Sequence, residues 1–129
     1  MKILLDTHIA LWLLADDNRL SSNARIIIED TTNELYISTA SIWEIAIKNS
    51  KRPDSMRTTA EEFSSYCEQA GIISLPIENK HIFALKDLPD IHNDPFDRLL
   101  LAQASSEGFK LMTHDDKIVR YRMGDVLEV

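Results

Sequence analysis

The chain has 129 residues, of which 44% are hydrophobic and 27% charged, as is typical of one folded domain with its own core. Its formal net charge of −7 argues against a protein that coats nucleic acid by surface charge, but it allows an enzyme whose acids hold divalent cations. The single cysteine, Cys67, excludes an internal disulfide and a cysteine-based zinc site. We therefore expect one cytoplasmic domain over residues 1–129 with no membrane span, since the longest apolar run, 9–15, is too short for one.

Predicted strands and helices alternate along the chain. The apolar run Lys2–Leu5 predicts a buried parallel strand, and helical spacing follows from Thr7 to Ala15. Further on, the pattern predicts a helix from Ser21 or Ser22 to Asp30, a strand Leu35–Ser38, a helix ending at Lys48, a polar loop 50–59, a helix Thr59–Ala70, a strand Ile72–Ile77 and a helix Glu78–Leu85. The last predicted elements are a helix that ends at Gly108, a strand Lys110–Thr113, a helix Asp115–Tyr121 and a strand Val126–Glu128. This alternation predicts a three-layer α/β/α sandwich with a mostly parallel sheet of about five strands.

Two carboxylates open the helix in the segment HNDPFDRLLLAQA, residues 92–104. Asp94 suits the N-cap, Pro95 the first helical position, and an acid at the third position, Asp97, completes a capping box. Asp97 also shares a helical face with Leu101 and Ala104, and that face should point into the core. A carboxylate at the head of a buried stripe needs a partner, such as an arginine, backbone amides or a metal ion.

Acidic residues also stand where other predicted strands end. In a doubly wound fold, ligands bind outside the carboxyl ends of the strands, near the point where the strand order reverses. Asp6 ends the first strand, Glu44 lies early in the helix after the second, Asp97 opens the helix before the fourth, and Asp115 follows the fourth. These four carboxylates are therefore expected at one edge of the sheet.

Each of these acids also has a simpler interpretation. Asp6 and Asp115 suit helix caps, and Glu44 suits an i,i+4 ion pair with Lys48. If all four converge, however, two carboxylates ~4 Å apart repel by about 4 kcal/mol at an effective dielectric near 20, so the cluster needs a cation. Ligands that are all oxygen atoms select Mg²⁺ or Mn²⁺. The histidines near this edge lack zinc-ligand spacing and suit substrate phosphate contacts or local hydrogen bonds; they are His8, His92 and His114.

Five segments together resemble the PIN-domain proteins, most of all the VapC-type toxins of bacterial toxin–antitoxin pairs. They are LLDTHIALWLL (4–14), ISTASIWEIAIK (37–48), SLPI (74–77), HNDPFDRLLLAQA (92–104) and LMTHD (111–115). Each segment is a weak signal by itself, but the five occur in the family's order and extend nearly from end to end. The resemblance implies a metal-dependent endoribonuclease with a parallel sheet flanked by helices.

The resemblance also implies roles for individual residues. The acidic quartet of the family falls on Asp6, Glu44, Asp97 and Asp115, which would bind one or two Mg²⁺ or Mn²⁺ ions and activate a water molecule for RNA hydrolysis. Further residues are expected to hold the carboxylates or contact substrate: Thr7 and Thr113 as hydroxyls beside the carboxylates, Asp94 chiefly as the cap, and Arg98. The family implies an antitoxin partner and a homodimer. Apolar residues of early helices are candidates for the dimer surface, although a place in the core would explain them without it; they are Ile9, Trp12 and Trp43.

The segment NSKRPDSMRTT, residues 49–59, departs from the family pattern. Relatives often carry a Gly-Lys-Leu stretch there, whereas this chain has no glycine and places Lys51, Arg52 and Arg57 around Pro53. A basic loop beside an acidic metal site predicts contacts with the RNA backbone, although a solvated charged loop is the more common interpretation.

Two other classes of function compete with the nuclease. A catalytically inactive PIN fold would act by binding alone. A receiver-like signalling domain would also place Mg²⁺-binding acids at strand ends, but it needs an acidic pair after the first strand, a phosphoacceptor aspartate after the third and a lysine after the fifth. Here the first strand ends in Asp6 alone, the third in Leu75–Pro76, and no lysine follows Val126.

Overall fold

The computed structural model describes residues 1–91, 93–121 and 124–129. The strands are β1 (Lys2–Leu5), β2 (Glu34–Ser38), β3 (Ile73–Leu75), β4 (Lys110–Thr113) and β5 (Val126–Glu128). The α-helices are α1 (Thr7–Leu14), α2 (Ser22–Glu29), α3 (Thr39–Lys51), α4 (Ala60–Gln69), α5 (Asn79–Ala84), α6 (Pro95–Glu107) and α7 (Asp116–Val119). Among the residues described, none of the helices has the length and apolarity that a membrane crossing requires.

All five strands lie in one parallel sheet in the order β3-β2-β1-β4-β5. The chain moves outward from β1 to β2 and β3, and then returns to the other side of β1 to form β4 and β5. The strand order therefore reverses between β1 and β4, which is where open α/β sheets bind ligands. This architecture confirms the predicted α/β fold with a parallel sheet of five strands.

The sheet is covered by helices on both faces. In β1, Ile3 and Leu5 pack into one apolar cluster and Leu4 into another, so alternate side chains of the same strand point to opposite layers. The first cluster includes residues of α1, α2 and α4, and the second includes residues of α6 and α7. The central strand is thus fixed from both sides, and its last residue leads directly to Asp6.

Helix α3 is longer than the sequence pattern predicts. It continues to Lys51, so the first two residues of the predicted loop 50–59 form its last turn. The helix ends there because Arg52 precedes Pro53, whose ring disfavours helical geometry at the residue before it. Arg52 accordingly has φ −139° and ψ 69°. Lys48 and Lys51 lie in the last turn, where cations favour the negative end of the helix dipole.

Helix α6 begins and ends where its sequence predicts. Pro95 is its first residue, and Gly108 follows its last with φ 71°, the left-handed conformation that glycine adopts without strain. Leu100, Leu101 and Ala104 are buried in the second apolar cluster. The packing of this face fixes the first turn of α6 beside the sheet.

Strand β3 is shorter than predicted, because it covers only Ile73–Leu75 of the expected 72–77. Pro76 follows directly and has no amide hydrogen to donate to a neighbouring strand. β3 is also the edge strand of the sheet, so it has a single partner, β2. The shortening leaves Ile77 and Glu78 in the connection to α5.

Candidate active site

Asp6 follows β1 at the point where the strand order reverses. It occupies the N-cap position of α1, but its side chain makes no capping hydrogen bond. Instead the Thr113 hydroxyl donates to Asp6 Oδ2 at 2.8 Å. Burial raises the pKa of the Asp6 carboxyl above its usual value of 3.8, and the Glu44 carboxylate raises it further, while the Thr113 hydrogen bond opposes the shift. The carboxylate is therefore not used for capping, unlike in the simpler interpretation of this residue.

Thr113 joins Asp6 to Asp115. Its hydroxyl is buried at the end of β4 and accepts a hydrogen bond of 3.0 Å from the backbone amide of Asp115. The Asp115 carboxylate accepts from the amide of Lys117 at 2.9 Å and so caps α7. Asp6 and Asp115 both line a cavity of about 290 Å³. One hydroxyl thus orients the first acid and fixes the backbone of the second.

Glu44 is held on α3 by two different partners. Its Oε1 lies 2.9 Å from the Thr7 hydroxyl, and its Oε2 lies 2.7 Å from the Lys48 ammonium. Thr7 Oγ1 also lies 2.8 Å from the buried Ser41 hydroxyl. The side chain of Glu44 is only 13% exposed. The i,i+4 ion pair is therefore present, but on a shielded face and in a network that begins next to Asp6.

Asp97 and Asp94 have distinct positions at the start of α6. Asp94 Oδ1 accepts from the amides of Phe96 and Asp97, at 2.9 and 3.2 Å, and is the N-cap. Asp97 lies one residue after Phe96 in the first turn and is partly buried. The Phe96 ring packs against Trp43 with centroids 5.0 Å apart, so the start of α6 lies against the part of α3 that carries Glu44.

Basic side chains line a second cavity, of about 340 Å³, beside Glu44. Its lining includes His8, Lys48, Lys51 and Arg52. His8 is exposed and also borders the cavity that holds Asp6 and Asp115. Two of the three predicted basic residues therefore line this cavity: Lys51, in the last turn of α3, and Arg52, directly after the helix. Sequence reasoning treated Lys48 only as the partner of Glu44 and missed it as a wall of this cavity.

The family model described as the PIN domain matches residues 3–123. The chain belongs to the PIN-domain family. This membership excludes the receiver-like alternative. It also agrees with the five-stranded parallel sheet.

Individual relatives agree with this assignment. Ribonuclease VapC22 of Mycobacterium tuberculosis (strain ATCC 25618 / H37Rv) is 29% identical over 124 residues, which are 93% of this chain and 92% of that protein. Among solved structures, VapBC2 from Rickettsia felis bound to a DNA fragment from its promoter has a TM-score of 0.69 at 17% identity, covering 100% of this chain and 98% of that one. VapBC-1 from nontypeable Haemophilus influenzae has a TM-score of 0.67 at 15% identity, covering 99% of this chain and 98% of that one.

Other predicted residues lie elsewhere in this PIN fold. Arg98 donates to the carbonyls of Pro89 and Leu85 at 2.9 and 3.4 Å and to the Tyr121 hydroxyl at 3.1 Å, so it fastens the segment before α6. Ile9 is 1% exposed and is part of the core, which excludes it from a dimer surface. His92 lies outside the described residues.

A different group of possible metal ligands lies between α5 and α6. Ligand atoms of Glu78, His81 and Glu107 lie within 4.8 Å of one another. However, His81 Nδ1 accepts from the Glu78 amide at 3.0 Å, so Nε2 carries the proton and donates to Glu107 at 2.9 Å. The Lys80 ammonium lies 2.7 Å from the same Glu107 oxygen. Both ring nitrogens are therefore used, and the group is a hydrogen-bonded link between two helices.

The strand-end acids and the link of Glu78, His81 and Glu107 lie at opposite ends of α6. Asp97 is in the first turn of this helix and Glu107 is its last residue, which places them ~15 Å apart along the axis. The buried imidazole has a complete set of hydrogen bonds, whereas Asp6 has no ion pair within the described residues. The strand-end acids are therefore the better candidate site.

Proposed function

We propose that this chain is a divalent-metal-dependent endoribonuclease and the toxin of a toxin–antitoxin pair. The observation that carries the proposal is the Asp6 carboxylate, which is 5% exposed, lines a cavity together with Asp115, and is disfavoured as an anion by the charge of Glu44. A buried anion beside other anions needs a cation. The ribonuclease among the relatives supports RNA as substrate, and the VapBC complexes among the structural neighbours support an antitoxin partner.

The residues present fit a magnesium or manganese ion. Carboxylate oxygens are the ligands that these hard cations prefer. The residues that would hold one or two ions are Asp6, Glu44, Asp97 and Asp115. When bound, the ion supplies Lewis acidity that activates water and stabilises charge on the scissile phosphate. Asp6 is the best-supported ligand, whereas Glu44 becomes available when Lys48 leaves its Oε2.

The chain's own side chains orient the acids and bind the substrate backbone. The Thr113 and Thr7 hydroxyls fix Asp6 and Glu44, respectively. Lys51 and Arg52 are exposed beside the acids and suit the phosphates of a single RNA strand. This local positive charge offsets the formal net charge of −7, which otherwise repels nucleic acid.

Hydrolysis by water defines the products. The water oxygen bonds to phosphorus, the bond from phosphorus to the 3′ oxygen breaks, and the leaving 3′ oxygen takes a proton. The products are a 5′-phosphate and a 3′-hydroxyl, and the ribose 2′-hydroxyl is not the nucleophile. A substrate with 2′-O-methyl groups at the cleaved position should therefore still be cut.

The proposal includes two protein partners. An antitoxin segment would cover the acids and place a basic side chain among them, because a guanidinium or ammonium group can replace the cation. A second copy of the chain would cover Trp43, which is 57% exposed and packs beside Phe96. Trp43→Glu should then convert a dimer to a monomer in light scattering coupled to gel filtration.

A non-catalytic PIN-fold binding module is the second candidate. The observation that favours it is the ion pair between Lys48 and Glu44, since it occupies one acid without a metal. Such a module would bind RNA equally well with or without divalent cations, and it would leave the RNA intact.

The test is cleavage of single-stranded RNA by the purified chain. The proposal expects cleavage with Mg²⁺ or Mn²⁺, none with a chelator, and none with Asp97→Asn. Products should carry 5′-phosphates, and 2′-O-methyl substrates should be cut. Binding without cleavage in every condition would favour the binding module. Cleavage that persists in chelator, or that leaves 5′-hydroxyls, would contradict the proposal.

A further inference from the structure

The cavity beside Asp6 and Asp115 has a wall that metal binding does not explain. Three rings form this aromatic wall: His8, Trp12 and His114. The His114 ring meets Trp12 edge-on with centroids 5.9 Å apart, and the His8 ring lies 6.2 Å from Trp12. Trp12 packs against the core cluster of α1, which fixes its ring, while both histidines are exposed. The wall thus combines a half-buried tryptophan that packs against the core with two exposed histidines beside it.

Arg19 places a cation over this wall. Its guanidinium lies 5.3 Å from the centre of the Trp12 ring. Asp17 holds it, with Nε 3.1 Å from Oδ1 and Nη2 2.7 Å from Oδ2. The hydrogen bonds from Arg19 lower the pKa of Asp17 to about 2, so the pair stays ionised at neutral and mildly acidic pH. Among the residues that the structure describes, Nη1 of Arg19 has no acceptor, so its two hydrogens are available to a ligand.

The loop between α1 and α2 keeps Arg19 in this place. Arg25 donates to Asp16 Oδ1 at 2.8 Å and to the Asp17 carbonyl at 2.9 Å. The amide of Asp17 donates to the Trp12 carbonyl at 2.9 Å. The guanidinium, its carboxylate partner and the ring below it are therefore tied together before any ligand arrives, which lowers the entropic cost of binding.

We propose that this cavity is a nucleobase subsite for a nucleotide next to the scissile phosphate, an inference that rests on the proposed function. The base stacks on the aromatic wall, and the free hydrogens of Arg19 bind acceptors on the base edge. Stacking on aromatic rings and on guanidinium planes is how proteins bind unpaired RNA bases. The volume of about 290 Å³ suits a ligand of one base rather than a larger group.

Position and charge favour a base over other occupants. The lining of the cavity includes Asp6 and Asp115 as well as the aromatic wall, so a nucleotide whose phosphate reaches these acids would have its base beside the wall. A chain of net charge −7 gains little from its overall field when it binds RNA, so uncharged stacking has to contribute affinity. Arg19 adds an exposed cation to the lining of the same cavity.

Tryptophan fluorescence tests the subsite directly. The chain has two tryptophans, so Trp43→Phe leaves Trp12 as the single emitter. We would titrate this variant in chelator with four single-stranded RNA homodecamers and with an abasic ribose-phosphate decamer. Base-bearing RNA should quench Trp12 saturably, and the abasic strand should not. The matched control, Trp12→Phe, retains only Trp43 and should show no saturable quenching. Equal quenching by the abasic strand, or RNA binding by anisotropy without quenching of Trp12, would overturn the subsite.

Cleavage kinetics provide the second readout. Trp12→Leu should raise KM for RNA about 10-fold with kcat changed less than twofold, and Arg19→Gln should have a smaller effect in the same direction. If native protein cleaves RNA and both variants match it in KM, the subsite is wrong and the nuclease stands. If native protein does not cleave, the proposed function fails, and the fluorescence titration still decides whether the cavity binds bases. If Trp12→Leu changes only binding of a protein partner, the cavity is a protein-docking pocket and the proposal is overturned.

Discussion

The proposed metal site depends most on Asp6 and its buried carboxylate. Thr113 orients it, Glu44 and burial disfavour its charge, and its pKa is raised as a result. A group whose folded pKa lies above its unfolded value of 3.8 lowers stability once the pH rises through that interval, because the fold penalises the anion. Asp6 therefore costs stability at neutral pH, as functional residues often do.

We expect Asp6→Asn to stabilise the metal-free protein by about 1 kcal/mol at pH 7, a rise in Tm of about 3 to 6 °C. The advantage over the native chain should shrink as the pH falls through the raised pKa of the native carboxyl, because that carboxyl then takes up a proton and loses its charge. The variant should also lose the Mn²⁺-induced rise in Tm that the native chain shows. Thermal denaturation with chelator and with Mn²⁺ measures both effects. A less stable variant, or one that Mn²⁺ stabilises as much as the native chain, would contradict this role.

The position of a single site residue was predictable from sequence when the residue lies at the end of a strand. Asp6 directly follows β1, and Asp115 comes two residues after the end of β4. Because the carboxyl ends of parallel strands lie at the same edge of a sheet, the parallel sheet alone places both acids there. Arg19 and its stacking on Trp12 were not predictable, because the loop after α1 brings it back over the helix by tertiary contacts. Periodicity does not encode a contact of that kind.

Helix α6 separates two acids that the sequence sets only three residues apart. Asp94 accepts hydrogen bonds from the free amides at the start of the helix, while Asp97 lies within its first turn. We expect Asp94→Ala to lower stability by about 1 kcal/mol and to retain RNA cleavage below its Tm. Asp97→Asn should keep the Tm within 2 °C of native, roughly the precision of such comparisons, and lose cleavage. Paired melting curves and cleavage assays separate these roles. Loss of cleavage in Asp94→Ala with retention in Asp97→Asn would reverse the assignment.

The link of Glu78, His81 and Glu107 between α5 and α6 should make stability depend on pH in the opposite direction to Asp6. The Lys80 and His81 hydrogen bonds lower the pKa of Glu107 below its usual value of 4.5, so this group adds stability above that pH and the contribution is lost as the pH falls through the lowered pKa. Glu107→Gln should cost about 1 kcal/mol at pH 7 and progressively less in acid, as urea denaturation at several pH values would measure. Exposed Glu68→Gln is the matched control and should change little. If Glu107→Gln abolishes the Mn²⁺-induced stabilisation and Asp6→Asn does not, this link is the metal site.

The ends of helices and strands were predictable from sequence where a particular residue type enforces them. Where no residue type does so, the predicted ends were wrong. Asp94–Pro95 and Gly108 mark the two ends of α6 in the sequence itself. The end of α3 was placed too early, because charged residues such as Lys51 are typical of loops and also of the last turn of a helix. The residue that decides is Pro53, through its effect on Arg52.

The distribution of charge over the chain predicts how RNA binding depends on salt. Each phosphate contact on a single strand contributes a slope of about −0.7 in log affinity against log salt. Lys51→Gln combined with Arg52→Gln should therefore reduce the slope by about 1.4 between ~50 and ~200 mM salt. Lys2→Gln is the control, since Lys2 is exposed at the opposite end of β1 and should leave the slope unchanged. Fluorescence anisotropy of RNA in chelator gives these slopes, and equal slopes for all three proteins would exclude the basic segment from the interface.

The overall architecture was predictable from sequence because short apolar runs alternate with amphipathic ones, and parallel crossovers are right-handed. The candidate site followed from the same rule, since it lies where the strand order reverses. The cavities beside it did not, because they depend on how α1, α3 and the intervening loops pack. The proposed contacts with RNA lie in those cavities, so the sequence alone indicates hydrolysis of RNA more clearly than a preferred RNA.

The most direct measurement is controlled expression of the native chain and of Asp6→Asn in bacterial cells, with growth followed and new RNA 5′ ends mapped by sequencing. We expect the native chain to stop growth and leave discrete 5′-phosphate ends, and Asp6→Asn to accumulate to the same level and do neither. Growth arrest with identical new ends in both strains, or arrest by the native chain without any new 5′-phosphate ends, would contradict the proposed function.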